Sequence, residues 1–491
     1  MKSILTGAEF FRNEKSDRKI NSVLIENGKI EALFYDEKSL PSGIKKINLK
    51  DKFVTAGCVD SHTHSFEGGL YAMGSNLCEV KSVSEVLEKM KGECREDFVF
   101  AYSYDENKVA EKRFPTREEL DSVFPDKPVL LRRIDGHSCV INSFAASKID
   151  KLSRKSSDWN GLLTKEENDV AAHWFHKSLP DEMILKAYKR AEKSAIEAGL
   201  TSVHAMVGDA DMSLTHFKII QKYLSDFDVK YKLYPQSFNI SEAEKTDCGR
   251  IGGCILADGS IGSKTAALFK PYKDSDERGI LYQTDEFWYE FIKKSHLKNM
   301  QVAVHAIGDR AIDQILRQYE KVHEKYPKKI IHQIIHCELT REDHIRRMAE
   351  AGVAVAVQPM FDGLWGQKNG FYEKKLGVET AARMNLFKDM VNAGILVCGS
   401  SDWYITTLDI RKQLSALMNH NKESQRFTFS EALKLYTENP AKLIGKSDTA
   451  GRIKVGYDAD FTVFSKSPLN TDIEKDVKID GVFASGKFLK A

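Results

Sequence analysis

The sequence predicts an α/β fold: a (β/α)8 TIM barrel, with a small composite β-sandwich domain built from both termini and an insertion after barrel strand 1. Three observations predict it. Apolar strand-like runs alternate with helical patterns through the middle of the chain, which argues for a parallel sheet joined by crossover helices. Eight such runs can be placed, the number that closes a barrel of this kind. Both chain ends instead alternate like short antiparallel strands, and neither is long enough to hold a core alone.

Taken in order, residues 22–33 form an alternating pair of runs broken by Asn27-Gly28, a strong hairpin signal. Residues 460–464 and 481–487 alternate in the same way, so 1–53 and 447–491 are assigned to one small β domain. The barrel then occupies 54–446. Its expected strands are Val54 to Asp60, Gly199 to His204, Val229 to Tyr234, Gly252 to Ala257, Met300 to His305, Ile330 to His336, Val353 to Val357 and Ile395 to Ser400. Helical patterns such as Asp181 to Ala198 and Arg341 to Ala351 separate them. The stretch from about 66 to 179 is too long for one strand–helix unit. It carries strand-like runs at 98–102 and 128–132 and a helix start at Thr116 with Glu119 placed for a capping box, and it reads as a cover over the barrel mouth.

The 491 residues carry 73 Lys and Arg against 71 Asp and Glu, a net charge of +2, which gives no electrostatic case for nucleic acid or an anionic membrane. No apolar run approaches bilayer length, and the first residues lack the apolar stretch of a signal peptide. The 8 cysteines are scattered without a Cys-x-x-Cys pair, so they read as reduced thiols in a cytoplasmic protein. A small molecule is the expected partner, and a homodimer stays open.

Asp60-Ser61-His62-Thr63-His64 ends the first barrel run. Residues at i and i+2 of a strand point the same way, so His62 and His64 can offer two imidazoles to one ion. The chemistry of such barrels sits at the C-terminal ends of the strands. There the fifth run ends in His305, the sixth in His336 and the eighth in Asp402, while the fourth carries Cys254 before Asp258. A donor set of this kind suits Zn²⁺, with Mn²⁺ or Fe²⁺ as alternatives. Asp402 is then placed to bind the metal, take a proton from the attacking water and deliver it to a leaving nitrogen.

The words around these residues resemble the amidohydrolase superfamily, in particular its amidohydrolase-3 branch, which includes N-substituted formamide deformylase-like proteins. They are Asp60-Ser61-His62-Thr63-His64, Asp135-Gly136-His137, the long word from Asp258-Gly259-Ser260 to Ala266, His305-Ala306-Ile307-Gly308-Asp309-Arg310-Ala311, Ser401-Asp402, and the closing 451–460. The resemblance covers nearly the whole chain. It implies that His62 and His64 bind one metal, His305 and His336 a second, and that Asp402 contacts metal and water. Many relatives bridge two metals with a carboxylated lysine on strand four, and Cys254 stands at that position here. Three readings of Cys254 remain: a bridging thiolate, a short side chain leaving a site for one metal, or an inert buried thiol.

The expected activity is hydrolysis of a non-peptide C–N bond (amide, N-acyl or N-formyl) by metal-activated water, with one or two ions. A mononuclear deaminase is the first rival, although relatives of that kind carry His-x-x-Glu where this chain has Gly308. An inactive barrel scaffold is the second. His137, which the resemblance places over the site, His204 at the end of strand two, and Trp403 are the candidate substrate-binding residues. Phe66, Tyr71, Met73, Phe361, Trp365, Trp403 and Tyr404 are candidate walls of an apolar pocket, and the glycines around Phe361 suggest a mobile flap. Lys264 and Arg310 read as positioning residues.

Overall fold

Strands buried on both faces leave continuous apolar runs, and eight of these form parallel strands through the middle of the chain. They are β1 (Cys58–Thr63), β2 (Leu200–Val207), β3 (Lys230–Pro235), β4 (Arg250–Leu256), β5 (Gln301–Ala306), β6 (Gln333–His336), β7 (Ala354–Val357) and β8 (Val397–Gly399). The computed structural model describes residues 2–13, 18–36, 38–94, 96–134, 138–150, 152, 159–164, 166–208 and 213–491. The strands pair in chain order as two arcs, β1 to β3 and β4 to β8. The arcs meet where Thr63 bridges Trp403 in parallel and the Asp402 N–H donates to the His62 carbonyl at 3.0 Å. This order and direction are what a (β/α)8 barrel requires. Met206, Tyr234, Ala303, Ile335 and Ala356 pack together between the strands, with Cys254 against them.

The connecting helices are amphipathic in the expected way. Asp309–Lys325, between β5 and β6, buries Ala311, Ile312, Ile315, Leu316, Tyr319 and Val322, a stripe at i, i+3 and i+4 spacing. Ser65–Met73, which follows β1, packs so closely on Asp181–Glu197 that a side chain at Gly69 would meet the Ala187 carbonyl.

The run expected as one strand from Val54 to Asp60 is two. Phe53–Ala56 pairs with Glu9–Phe10 and with Phe461–Phe464, and only after Gly57 does the chain enter β1. Gly57 donates to the Asp460 carbonyl at 2.8 Å, and a Cβ there would press on Thr201 and come within 2.9 Å of Asp460 Cβ. Both halves are buried, so the apolar pattern runs on through the change of sheet.

Strands from the two ends share one five-stranded sheet, and a four-stranded sheet of N-terminal strands faces it. Leu5, Val23, Ile25, Val54, Phe461 and Phe483 belong to a single core between them. Asn27 and Gly28 turn the hairpin with φ of 50° and 75°, as a type I′ turn requires. Between β1 and β2 a separate five-stranded sheet contains Val99–Tyr104 and Val129–Arg133, and Thr116 and Glu119 form the expected capping box. No helix among the described residues is long and apolar enough to cross a membrane.

Candidate metal centre

Side chains from β1, β4, β5, β6 and the turn after β8 meet at the C-terminal ends of the strands. His62 Nε2 and His64 Nε2 approach Asp402 Oδ1 at 3.1 and 3.2 Å. These approaches lack hydrogen-bond alignment: both His62 nitrogens and Asp402 Oδ1 are buried without a hydrogen-bond partner. The His336 ring lies 5.4 Å from that of His62 and 4.5 Å from that of His305. His62, His64 and Cys254 present ligand atoms within 4.8 Å of one another, and so do His62, His336 and Asp402. Ligand bonds of about 2.0–2.3 Å allow donors at such separations to share an ion. Buried donors without hydrogen-bond partners, close enough to share an ion, fit a divalent metal and would be costly without one.

The supporting bonds fix which nitrogen of each histidine is free. His305 Nε2 donates to the Gly259 carbonyl at 3.2 Å, which leaves Nδ1 buried and without a partner. His336 does the reverse: Nδ1 donates to Gln358 Oε1 at 2.8 Å, which frees Nε2. Gln358 is itself oriented, because its Nε2 donates to Ser400 Oγ at 3.0 Å and that hydroxyl donates to the Val357 carbonyl at 3.0 Å. Such outer bonds set the tautomer and direction of a ligating imidazole. His336 and Asp402 adopt φ of 69° and 54°, a left-handed conformation that non-glycine residues keep only where their surroundings hold them.

Two buried carboxylates hold the frame. Asp60 accepts from the N–H of His62 and of Ser401, each at 3.1 Å, and so ties β1 to the turn that carries Asp402. Asp258 accepts from Ala267, Ile307 and Gly308 at 2.8–3.0 Å, which ties the loop after β4 to the end of β5. Burial pushes each carboxyl up to about 6 against these hydrogen bonds. Neither Asp60 nor Gln358 was among the residues singled out from sequence. The only sequence signals are their places in the Asp-x-His-x-His word and directly after the seventh run.

Burial opposes ionisation of the Cys254 thiol, but the imidazoles of His305, His336, His62 and His64 outweigh it and hold the pKa well below the ordinary thiol range. Asp402 behaves alike: burial would raise it, and His62 and His64 beside it hold it well below the usual carboxylate range. Thiolate and carboxylate are the forms that bind metal.

The other expected residues divide. His204 does not end its strand, which runs on to Val207. It is fully buried, and neither ring nitrogen has a hydrogen-bond partner. Trp403 accepts the His64 N–H at 2.6 Å through its carbonyl, and its ring covers Gly68. His137 lies outside the described residues. The expected flap around Phe361 is instead a helix, Pro359–Trp365, opened by proline in its first turn, with Phe361 buried and parallel to the His336 ring at 6.0 Å. Tyr404 is 6.3 Å from the His64 ring and 4.3 Å from that of Tyr71. Lys264 pairs with Glu277 at 3.0 Å and Arg310 donates to the Gly279 carbonyl at 3.2 Å, so both do position neighbouring groups. A cavity of about 410 Å³ opens beside the ends of β1 to β3, lined in part by Phe66, His173, His176, His216 and Gln236. Its histidines lack strand-end placement and read from the sequence as surface or core residues. Gln236 also donates to the Cys254 carbonyl at 3.3 Å, so the cavity and the metal centre share a wall.

A rim of imidazole, thiolate and carboxylate donors on a parallel α/β frame defines a candidate metal-dependent enzyme. The chain belongs to the amidohydrolase family, whose profile matches residues 45–489. It is 29% identical to the Bacillus subtilis (strain 168) protein named "Putative amidohydrolase YtcJ", over 96% of each chain. It is 22% identical to the N-substituted formamide deformylase of Arthrobacter pascens, over 86% of this chain and 85% of that one. Among solved structures it is similar to an uncharacterized metal-dependent hydrolase from Pyrococcus furiosus, with a TM-score of 0.83 and 25% identity over 96% of this chain and 100% of that one.

Proposed function

We propose that this protein hydrolyses a non-peptide amide, N-acyl or N-formyl C–N bond, using two Zn²⁺ ions with the Cys254 thiolate between them. The observation that carries this reading is that His62 and His64 bring ligand atoms within 4.8 Å of Cys254 Sγ, and His62, His336 and Asp402 do the same among themselves, with the His305 ring 4.5 Å from that of His336. When bound, the ions would polarise the scissile carbonyl and acidify a water. His62 and His64 would hold one ion and His305 and His336 the other. Asp402, kept ionised by its histidine neighbours, takes the proton from the attacking water and passes it to the departing nitrogen, which leaves as a neutral amine. The cavity beside β1 to β3 is of a size that accepts a small molecule and would receive one side of the amide.

The formamide deformylase activity named for the Arthrobacter relative supports the choice of bond. The deaminase reading is disfavoured by Gly308, where a side chain would fall on the Ala267 backbone and where the N–H is taken by Asp258. We further infer that the two arcs of strands close into a complete barrel. The sheet pairing of Phe53–Ala56 supports starting the barrel domain after Gly57, with 1–53 and 447–491 as the core of the small domain. The test is hydrolysis of matched N-formyl and N-acetyl amines and of cyclic amidines by the zinc-loaded protein. Release of formate or acetate supports the reading. Ammonia released from amidines with no amide turnover would overturn it.

A further inference from the structure

At the opposite, N-terminal ends of β1 to β3, a cavity of about 210 Å³ lies between the barrel strands and the chain that returns to the terminal sheets. Its charged walls are Lys29, Lys230, Lys232, Lys446, Asp458 and Asp460, an excess of two positive charges. Both acids are already engaged. Asp458 pairs with Lys29 at 2.5 Å and with Lys230 at 3.0 Å, and Asp460 pairs with Lys230 at 2.6 Å and accepts the Ser485 N–H at 2.7 Å. Among the described residues Lys232 and Lys446 have no ion pair. Arg250, at the start of β4, adds a further cation close by, its Nε donating to the Leu233 carbonyl and its guanidinium lying 5.4 Å over the Tyr234 ring.

The cavity's inner wall includes His204, which is fully buried. Cations that outnumber the acids around a partly enclosed space are costly where they are desolvated, as the half-buried Lys232 is. Burial, then Arg250, Lys230 and Lys446, lower the Lys232 ammonium from its ordinary range, which is the electrostatic mark of that crowding. An anionic occupant relieves that crowding.

We propose that this cavity binds a small multivalent oxyanion, held between the Lys232 and Lys446 ammonium groups. Lys232 comes from β3 and Lys446 from the segment after helix Glu438–Leu443, so the anion ties a barrel strand to the chain that leaves the last helix. It lies at the opposite strand ends from His62 and His305, and is a stabilising ligand rather than substrate.

The test is calorimetric titration of the metal-loaded full chain with inorganic phosphate, and separately with succinate, at constant ionic strength. Saturable binding of either anion is expected, and which one binds more tightly identifies the source. Lys232→Met and Lys446→Met should each weaken it about tenfold or more, the loss expected for one charge-assisted contact. Lys232→Arg should retain it, as should Lys193→Met on an exposed helix. Lys446 is exposed, so its variant keeps the proposal testable if Lys232→Met fails to fold. The anion should also raise the melting temperature of the wild type and not of Lys446→Met. Absence of saturable binding by both anions would overturn the proposal. Binding undiminished in the lysine variants would do so too, since it would place the anion elsewhere, the metal centre included.

Discussion

Replacing Gln358 by Leu isolates the device that aims His336. The change removes the acceptor 2.8 Å from His336 Nδ1 and the donor 3.0 Å from Ser400 Oγ, in a region where all three residues are buried. An orphaned buried donor costs about 1–3 kcal/mol, and the imidazole can escape that cost by moving its proton to Nε2. Nε2 is the nitrogen that would bind a metal in the proposed site. Loss of such an outer partner typically weakens metal binding about 10–100-fold, or ~1.4–2.8 kcal/mol. The assay is competitive zinc titration against a chromophoric chelator, paired with nitrogen-15 NMR of the metal-free protein to read the His336 tautomer. The wild type should show the proton on Nδ1, and Gln358→Leu a mixture. Gln358→Glu keeps an acceptor and should keep affinity. Affinity within about twofold of wild type with the tautomer unchanged would refute the reasoning.

Asp402→Asn should abolish amide turnover in a folded protein, and undiminished hydrolysis would remove Asp402 from the mechanism. Gly57→Ala should destabilise the protein by about 1–3 kcal/mol, read as a lower denaturation midpoint, because the added methyl meets Thr201 and Asp460. His344 supplies the pH prediction. Burial, then Arg341, push its pKa down to about 4 from 6.5, so below about pH 6.5 the unfolded chain binds a proton that the folded protein refuses. Stability is therefore lost as pH falls from 6.5 through 4, by about 3 kcal/mol at most. His344→Gln should flatten the stability–pH curve in that window, and an unchanged slope would contradict the assignment.

The residues that meet at the candidate metal centre were legible in the sequence because strand ends are. An apolar run that stops at a histidine or aspartate carries both the position and the chemistry, and this located His62, His64, His305, His336 and Asp402. Cys254 was legible only through resemblance, since a lone cysteine in an apolar run is also an ordinary core residue. Gln358 was not legible. Its role depends on the register that sets Val357 beside Gly399, and so Gln358 beside Ser400, and no local pattern reports register across strands. Asp60 was quoted within its word, but its tie to Ser401 crosses 341 positions of sequence. His204 was misplaced because β2 runs three residues past it, and a strand buried throughout gives no mark of where it stops. The break at Gly57 was hidden for the same reason. Phe361 and Trp365 read as a flap from their glycines, whereas the proline at 359 was the better signal for the helix that forms.

The account turns on Cys254 standing between two ions. Metal analysis of purified protein, reconstituted with zinc and desalted, tests it most directly when wild type and Cys254→Ala are compared, with circular dichroism to establish that both are folded. The account predicts two equivalents of zinc in the wild type, falling to one or none in the variant. Two equivalents retained by folded Cys254→Ala would contradict it.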